Sequence, residues 1–162
     1  MRPIYQSLII PFLLLQGSLL AHCQVPCGIY NDAARIVQIQ EDFSTIQKAM
    51  TQIKELSLQQ DARSMNQLTR WIITKEDHAS KIQKVISEYF LTQRIKAKTK
   101  GSDYNKYVKK TTTLHQILVS AMKCKQTVYL GHVDEGIDQI ETFIDLYFDK
   151  HGKDHIKQMS ES

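Results

Sequence analysis

Apolar residues recur at helical spacing in four stretches of the chain. Ile36, Ile39, Phe43, Ile46, Met50 and Ile53 follow one another in steps of three and four, which places them on one face of a helix. A second stripe runs through Leu68, Ile72, Lys75, Ala79, Ile82, Ile86 and Tyr89, widened by Trp71, Val85 and Phe90. Leu114, Ile117, Ala121, Cys124 and Val128 form a third, with Leu118 beside it, and Val133, Ile137, Ile140, Ile144 and Tyr147 a fourth. Strand-type alternation is absent, and all three prolines precede residue 27. The pattern predicts an all-α protein, an antiparallel four-helix bundle over residues 31–150. Ser57 to Ser64 predicts a short turn, and Lys98 to Asp103, with Gly101, the clearest loop. Gly131 reads as the end of the third helix, and residues 151–162 as a frayed polar C-terminal tail.

Residues 1–21 do not fit this pattern. Arg2 gives a minimal positive start, Ile9 to Leu15 an apolar core, and Ala21 a small residue at a cleavage position. They read as a cleavable export signal, which implies a periplasmic or extracellular protein. A cytoplasmic one follows if the extension is only a maturation propeptide. The apolar run is shorter than the roughly 20 residues needed to span a bilayer, so no stable membrane association is expected after cleavage.

The chain of 162 residues is the size of one ordinary domain and needs no disulfide scaffold. Its net charge of +4 falls to +3 once the segment carrying Arg2 is removed. That mild excess favours small anions and gives no reason to expect a nucleic-acid partner. The basic run from Arg94 to Lys100, continued by Lys106, Lys109 and Lys110, reads as a solvated face that could also steer an anion.

The densest chemistry lies in His22-Cys23-Gln24-Val25-Pro26-Cys27-Gly28-Ile29-Tyr30, directly after the signal-like segment. With His22 as the N-terminal residue, its amine and the Cys23 amide nitrogen close a five-membered chelate. The Cys23 thiolate closes a second ring, Cys27 completes a plane, and the His22 imidazole can sit axially. Two nitrogens and two thiolates in a plane suit nickel(II) or copper(II) rather than zinc. Without metal, Cys23 and Cys27 could instead form a small-loop disulfide.

This run resembles the nickel-hook motif, His-Cys-x-x-Pro-Cys-Gly-x-Tyr, with which nickel superoxide dismutases begin after processing. All six specified positions are present. The resemblance implies a four-helix bundle assembled as a homohexamer, with superoxide as substrate and one nickel ion per subunit. It implies His22, Cys23 and Cys27 as metal ligands, a protease that cuts before His22, and room for a nickel-loading factor. Tyr30 resembles the tyrosine flanking the open axial face, and Tyr89, in Ser87-Glu88-Tyr89-Phe90, the second tyrosine near the site. The carboxylate and arginine that the family places behind the imidazole fall here on Val37 and His78. His78, and Glu41 one turn beyond Val37, are therefore the candidates to support the imidazole. Gln24 replaces the acid often found after the first cysteine.

Two other readings use the same residues. One is an exported helical-bundle interaction protein with a Cys23–Cys27 disulfide. The other is a nickel or copper carrier without turnover. Cys124, on an apolar face, reads as a buried inert thiol. Tyr104, Tyr107, Tyr129 and Tyr147 read as packing residues, and His115, His151 and His155 as structural or solvent-facing.

Overall fold

The computed structural model describes residues 30–161. The expected export signal, residues 1–21, and the expected metal ligands His22, Cys23 and Cys27 lie outside the described residues. Contacts divide the chain into Met1–Tyr30 and a compact unit, Asn31–Ser162. In the first unit only Tyr30 is described, and it is exposed. The second unit is wholly helical among the described residues.

Helix α1, Asp32–Leu56, begins where the Asn31 side chain accepts from the Ala34 amide at 3.0 Å, satisfying one unpaired N–H of the first turn. It ends at Ser57, whose amide still reaches the Ile53 carbonyl. After a short turn, Asp61 accepts from the Arg63 and Ser64 amides and starts α2, Ala62–Lys84. The helix then widens without a break into a π-helical segment, Val85–Arg94. It closes with the Ile95 amide donating to the Phe90 carbonyl at 2.8 Å, five residues back. Gly101, at φ +100°, makes the predicted loop. Helices α3, Tyr104–Gln126, and α4, Gly131–Tyr147, complete the bundle.

α1 packs on α2 and α4, α2 on α3, and α3 on α4, so the four enclose one core. The predicted stripes of α1, α3 and α4 line it. Phe43, Phe90 and Phe143 are its largest fully buried side chains, with the Phe90 and Phe143 rings edge to face at 5.2 Å. Gly136 on α4 lies against the Phe43 ring, a space that a Cβ would invade.

Three sequence expectations change. Gly131 does not end α3, which stops at Gln126; it is the first residue of α4. The segment read as a polar tail contains a further helix, α5, Lys150–Ser160. Asp149 caps it through the Gly152 amide at 2.8 Å, and its one buried residue, Ile156, joins the core as α5 packs on α1. A single apolar anchor among polar residues is too weak a pattern to reveal such a helix in the sequence. The early part of the second stripe is not buried: Leu68 is half-buried and Ile72 exposed, as are Met65 and Ile73 beside it on α2.

Candidate functional site

The most connected polar group in the bundle is the carboxylate of Asp32, the first residue of α1. Tyr89 donates its hydroxyl to Oδ1 at 2.6 Å, and Tyr147 donates to Oδ2 at 2.7 Å. Arg94 donates to Oδ2 through Nε at 3.1 Å and Nη2 at 2.8 Å. Three elements thus meet on one acid: α1, the π-helical segment and the end of α4.

The π-helical segment explains why Tyr89 and Arg94 can meet there. In an α-helix, residues five apart point about 140° away from each other. Hydrogen bonding five residues back brings such residues onto nearly the same side. The Ile95 amide bond to Phe90 is of this kind, and Gln93 Nε2 and Thr92 Oγ1 also donate five residues back, to the Glu88 and Ser87 carbonyls. The Tyr147 ring is fixed by stacking on Phe143 at 5.1 Å and meeting Phe90 edge-on at 5.9 Å.

The charges follow from these contacts. Burial pushes the Asp32 carboxyl up, but the hydrogen bonds from Arg94, Tyr89 and Tyr147 outweigh it and hold it below the usual carboxylate range. The phenols move the other way. Burial and the neighbouring carboxylate push Tyr147 up to about 12 and raise Tyr89 well above its ordinary value. Both stay neutral at physiological pH. The Arg35 guanidinium also lies over the Tyr89 ring, 5.5 Å from its centre.

His78 occupies a different place. Its Nδ1 lies 2.6 Å from Oδ1 of Asp42, an acid only 4 % exposed, whose Oδ2 has no hydrogen-bond partner among the described residues. Burial raises the Asp42 carboxyl against the opposing pull of His78. Glu41 is exposed, and the carboxylate that meets His78 is that of Asp42. Val37 is half-buried against the core. Of the proposed site residues, Tyr89 therefore stands on Asp32 and His78 on Asp42; these are two separate clusters.

Three residues of the Asp32 cluster carried no sequence signal. Asp32 looks like an ordinary acid in a first helical turn, Arg94 like part of a solvated basic run, and Tyr147 like a core aromatic. The spacing of Tyr89 and Arg94 becomes a clue only once a π-helical segment is known.

Among the described residues, no group of three or more His, Cys, Asp or Glu side chains could hold a metal ion. The third thiol, Cys124, is fully buried, and burial pushes it up to about 11, so it stays protonated and is a poor metal ligand. The sequence model of the nickel-containing superoxide dismutases matches residues 18–151. The chain belongs to the nickel-containing superoxide dismutase family. No curated protein and no solved structure matches it. The enzyme is an oxidoreductase that acts on superoxide, and its cofactor is nickel. The matched span begins before His22 and reaches the start of α5. It therefore covers the sequence of the hook, the Asp32 cluster and all four bundle helices.

Proposed function

We propose that nickel is held by the processed N-terminus, one ion per subunit, through the amine and imidazole of His22, the amide nitrogen and thiolate of Cys23, and the thiolate of Cys27. The observation that carries this reading is the state of Cys124. Of the three cysteines, it is buried and protonated, which leaves Cys23 and Cys27 to supply thiolates. Thiolate and nitrogen donors suit nickel. When bound there, nickel supplies the one-electron steps that turn two superoxide ions and two protons into dioxygen and hydrogen peroxide.

The residues of the chain have their own tasks in this proposal. Asp32 accepts from Tyr89 and fixes the direction of its hydroxyl. Tyr89 presents a neutral phenol to an approaching anion, and burial and the Asp32 carboxylate raise its pKa so that it stays neutral into the alkaline range. Tyr30, which is exposed, takes the part of the tyrosine that flanks the metal's open face and limits access to small anions. Arg94 and Tyr147 hold Asp32 ionised and in place.

A protease that cuts before His22 and a nickel-loading factor belong to the same proposal, as do export and assembly as a homohexamer. The exposed apolar residues Met65, Ile72 and Ile73 on α2 offer surface for contact between copies. Met65 and Ile72, seven apart, lie on the same helical face.

The test is at the terminus. Nickel-loaded protein beginning at His22 should dismutate superoxide, and an N-acetylated or Ala-extended form should not. Equal activity in the extended form refutes the amine ligand. Cys23→Ser or Cys27→Ser should abolish turnover. Native mass spectrometry separates the alternatives: a disulfide without metal would favour the interaction protein, and bound nickel without turnover the carrier.

A further inference from the structure

An open cleft of about 340 Å³ lies where the chain leaving Arg94 passes the first turns of α3. Its lining holds Arg94, Lys96, Lys98, Lys106 and Lys110 against a single acid, Asp103. Ile95 turns the backbone extended after the π-helical segment, and Lys96 and Lys98, two residues apart, both reach the cleft. On α3, Lys106 and Lys110 are four apart and share a face. The Lys110 ammonium stands over the Tyr147 ring, 5.0 Å from its centre.

Among the described residues, positive charge exceeds negative charge in this cleft. Arg94 is engaged by Asp32, and among the described residues Asp103 meets Lys106 alone, at 3.9 Å in an exposed pair. Among the described residues, no carboxylate lies within ion-pair distance of Lys96, Lys98 or Lys110. Like charges that face one another weaken the folded chain, and a concave surface of one sign concentrates the field on a counter-ion. The first turn of α3, whose positive end faces no capping side chain from Asp103, adds a field of the same sign.

Size and charge select the ligand. The volume lies within the range of about 300–1,000 Å³ typical of small-molecule sites. A diatomic monoanion such as superoxide would leave most of these charges unmatched. Several ammonium groups around one cavity match an anion with several adjacent charged oxygens. We propose that the cleft binds a small oligophosphate-bearing anion, a function beyond superoxide dismutation.

Isothermal titration of the nickel-loaded protein with inorganic tripolyphosphate, at about 0.15 M salt where exposed charges are largely screened beyond about 8 Å, tests the proposal. Saturable binding of one tripolyphosphate per subunit is expected, with orthophosphate much weaker. The triple variant Lys96→Glu/Lys98→Glu/Lys106→Glu alters exposed side chains only. It should keep its circular dichroism and bind at least about tenfold more weakly, because several modest charge contacts reverse sign together. Adenosine triphosphate forms a second arm. Tighter binding than tripolyphosphate identifies a nucleotide as ligand, and equal binding a bare oligophosphate. Absence of saturable binding overturns the proposal, as does equal heat from wild type and triple variant, which would report metal capture by the phosphate. Binding of heparin without tripolyphosphate overturns it too, since the cleft would then be part of a macromolecular surface.

Discussion

Replacing Asp32 by asparagine should unfasten the end of the bundle where α1, the π-helical segment and α4 converge. The carboxylate takes phenol hydrogen bonds of 2.6 and 2.7 Å and two from Arg94. Hydrogen bonds to a charged group contribute about 1.5–3 kcal/mol each. Asparagine keeps one acceptor oxygen, so one phenol bond persists at roughly half strength while the other phenol meets an NH2 group. The Arg94 and Asp32 side chains are 29 % and 14 % accessible. Solvent screening therefore limits the loss of that pair to about 1 kcal/mol. Together these give a destabilisation of about 2–4 kcal/mol. Loss of a negative charge at a helix start accounts for only about 0.3–1 kcal/mol, so the larger value isolates the cluster. Urea unfolding near neutral pH measures it, from the shift in midpoint at unchanged slope. The sign with pH also follows. Asp32 is held below its ordinary value of 3.8, so its contribution is fully present above that pH and is lost as pH falls through the folded-state value. The gap between wild type and variant should therefore narrow below pH 3.8. A neutral-pH difference under about 0.5 kcal/mol, the ordinary range of surface substitutions, would refute the reasoning.

Three further outcomes are expected. His78→Ala removes the only hydrogen-bond partner of buried Asp42 among the described residues and should cost about 1–3 kcal/mol in denaturant unfolding; adding Asp42→Leu should restore part of it, and additive losses would show that the pair is not coupled. Gly136→Ala would set a Cβ 2.5 Å from Cε1 of the fully buried Phe43. Overpacking of about 1–3 kcal/mol then outweighs the helix-propensity gain of about 1 kcal/mol; thermal unfolding should show a lower midpoint, recovered when Phe43→Leu is added, and a raised midpoint in the single variant would show that the ring can move aside. In metal-free, reduced protein beginning at His22, two thiols should react quickly with a disulfide reagent and Cys124 only on unfolding, because it is buried and its pKa is pushed up to about 11; three fast thiols in the native protein would contradict that placement.

The sequence by itself determined the four bundle helices and the family chemistry. Periodicity at steps of three and four is a local property, and it marked the inner faces of α1, α3 and α4 residue by residue, from Ile36 to Ile144. The hook motif is also local, since the donors it proposes lie within six residues, the backbone amide of Cys23 among them. Local patterns fail where partners are distant in the chain. Lys75 reads as a polar interruption of an apolar stripe, yet it is buried and its ammonium donates to the Cys124 carbonyl at 2.8 Å, at the end of α3. His78 found Asp42 rather than Glu41, because the two acids, adjacent in sequence, point about 100° apart on α1 and only the former faces inward. Asp32, Tyr89, Arg94 and Tyr147 span more than a hundred residues. Only the tertiary structure, with a π-helical segment that rotates Arg94 beneath Tyr89, decided that they share one carboxylate. Hydrophobic burial is written in the spacing of neighbours; a polar cluster depends on where separate helices end, and that is settled by how they pack.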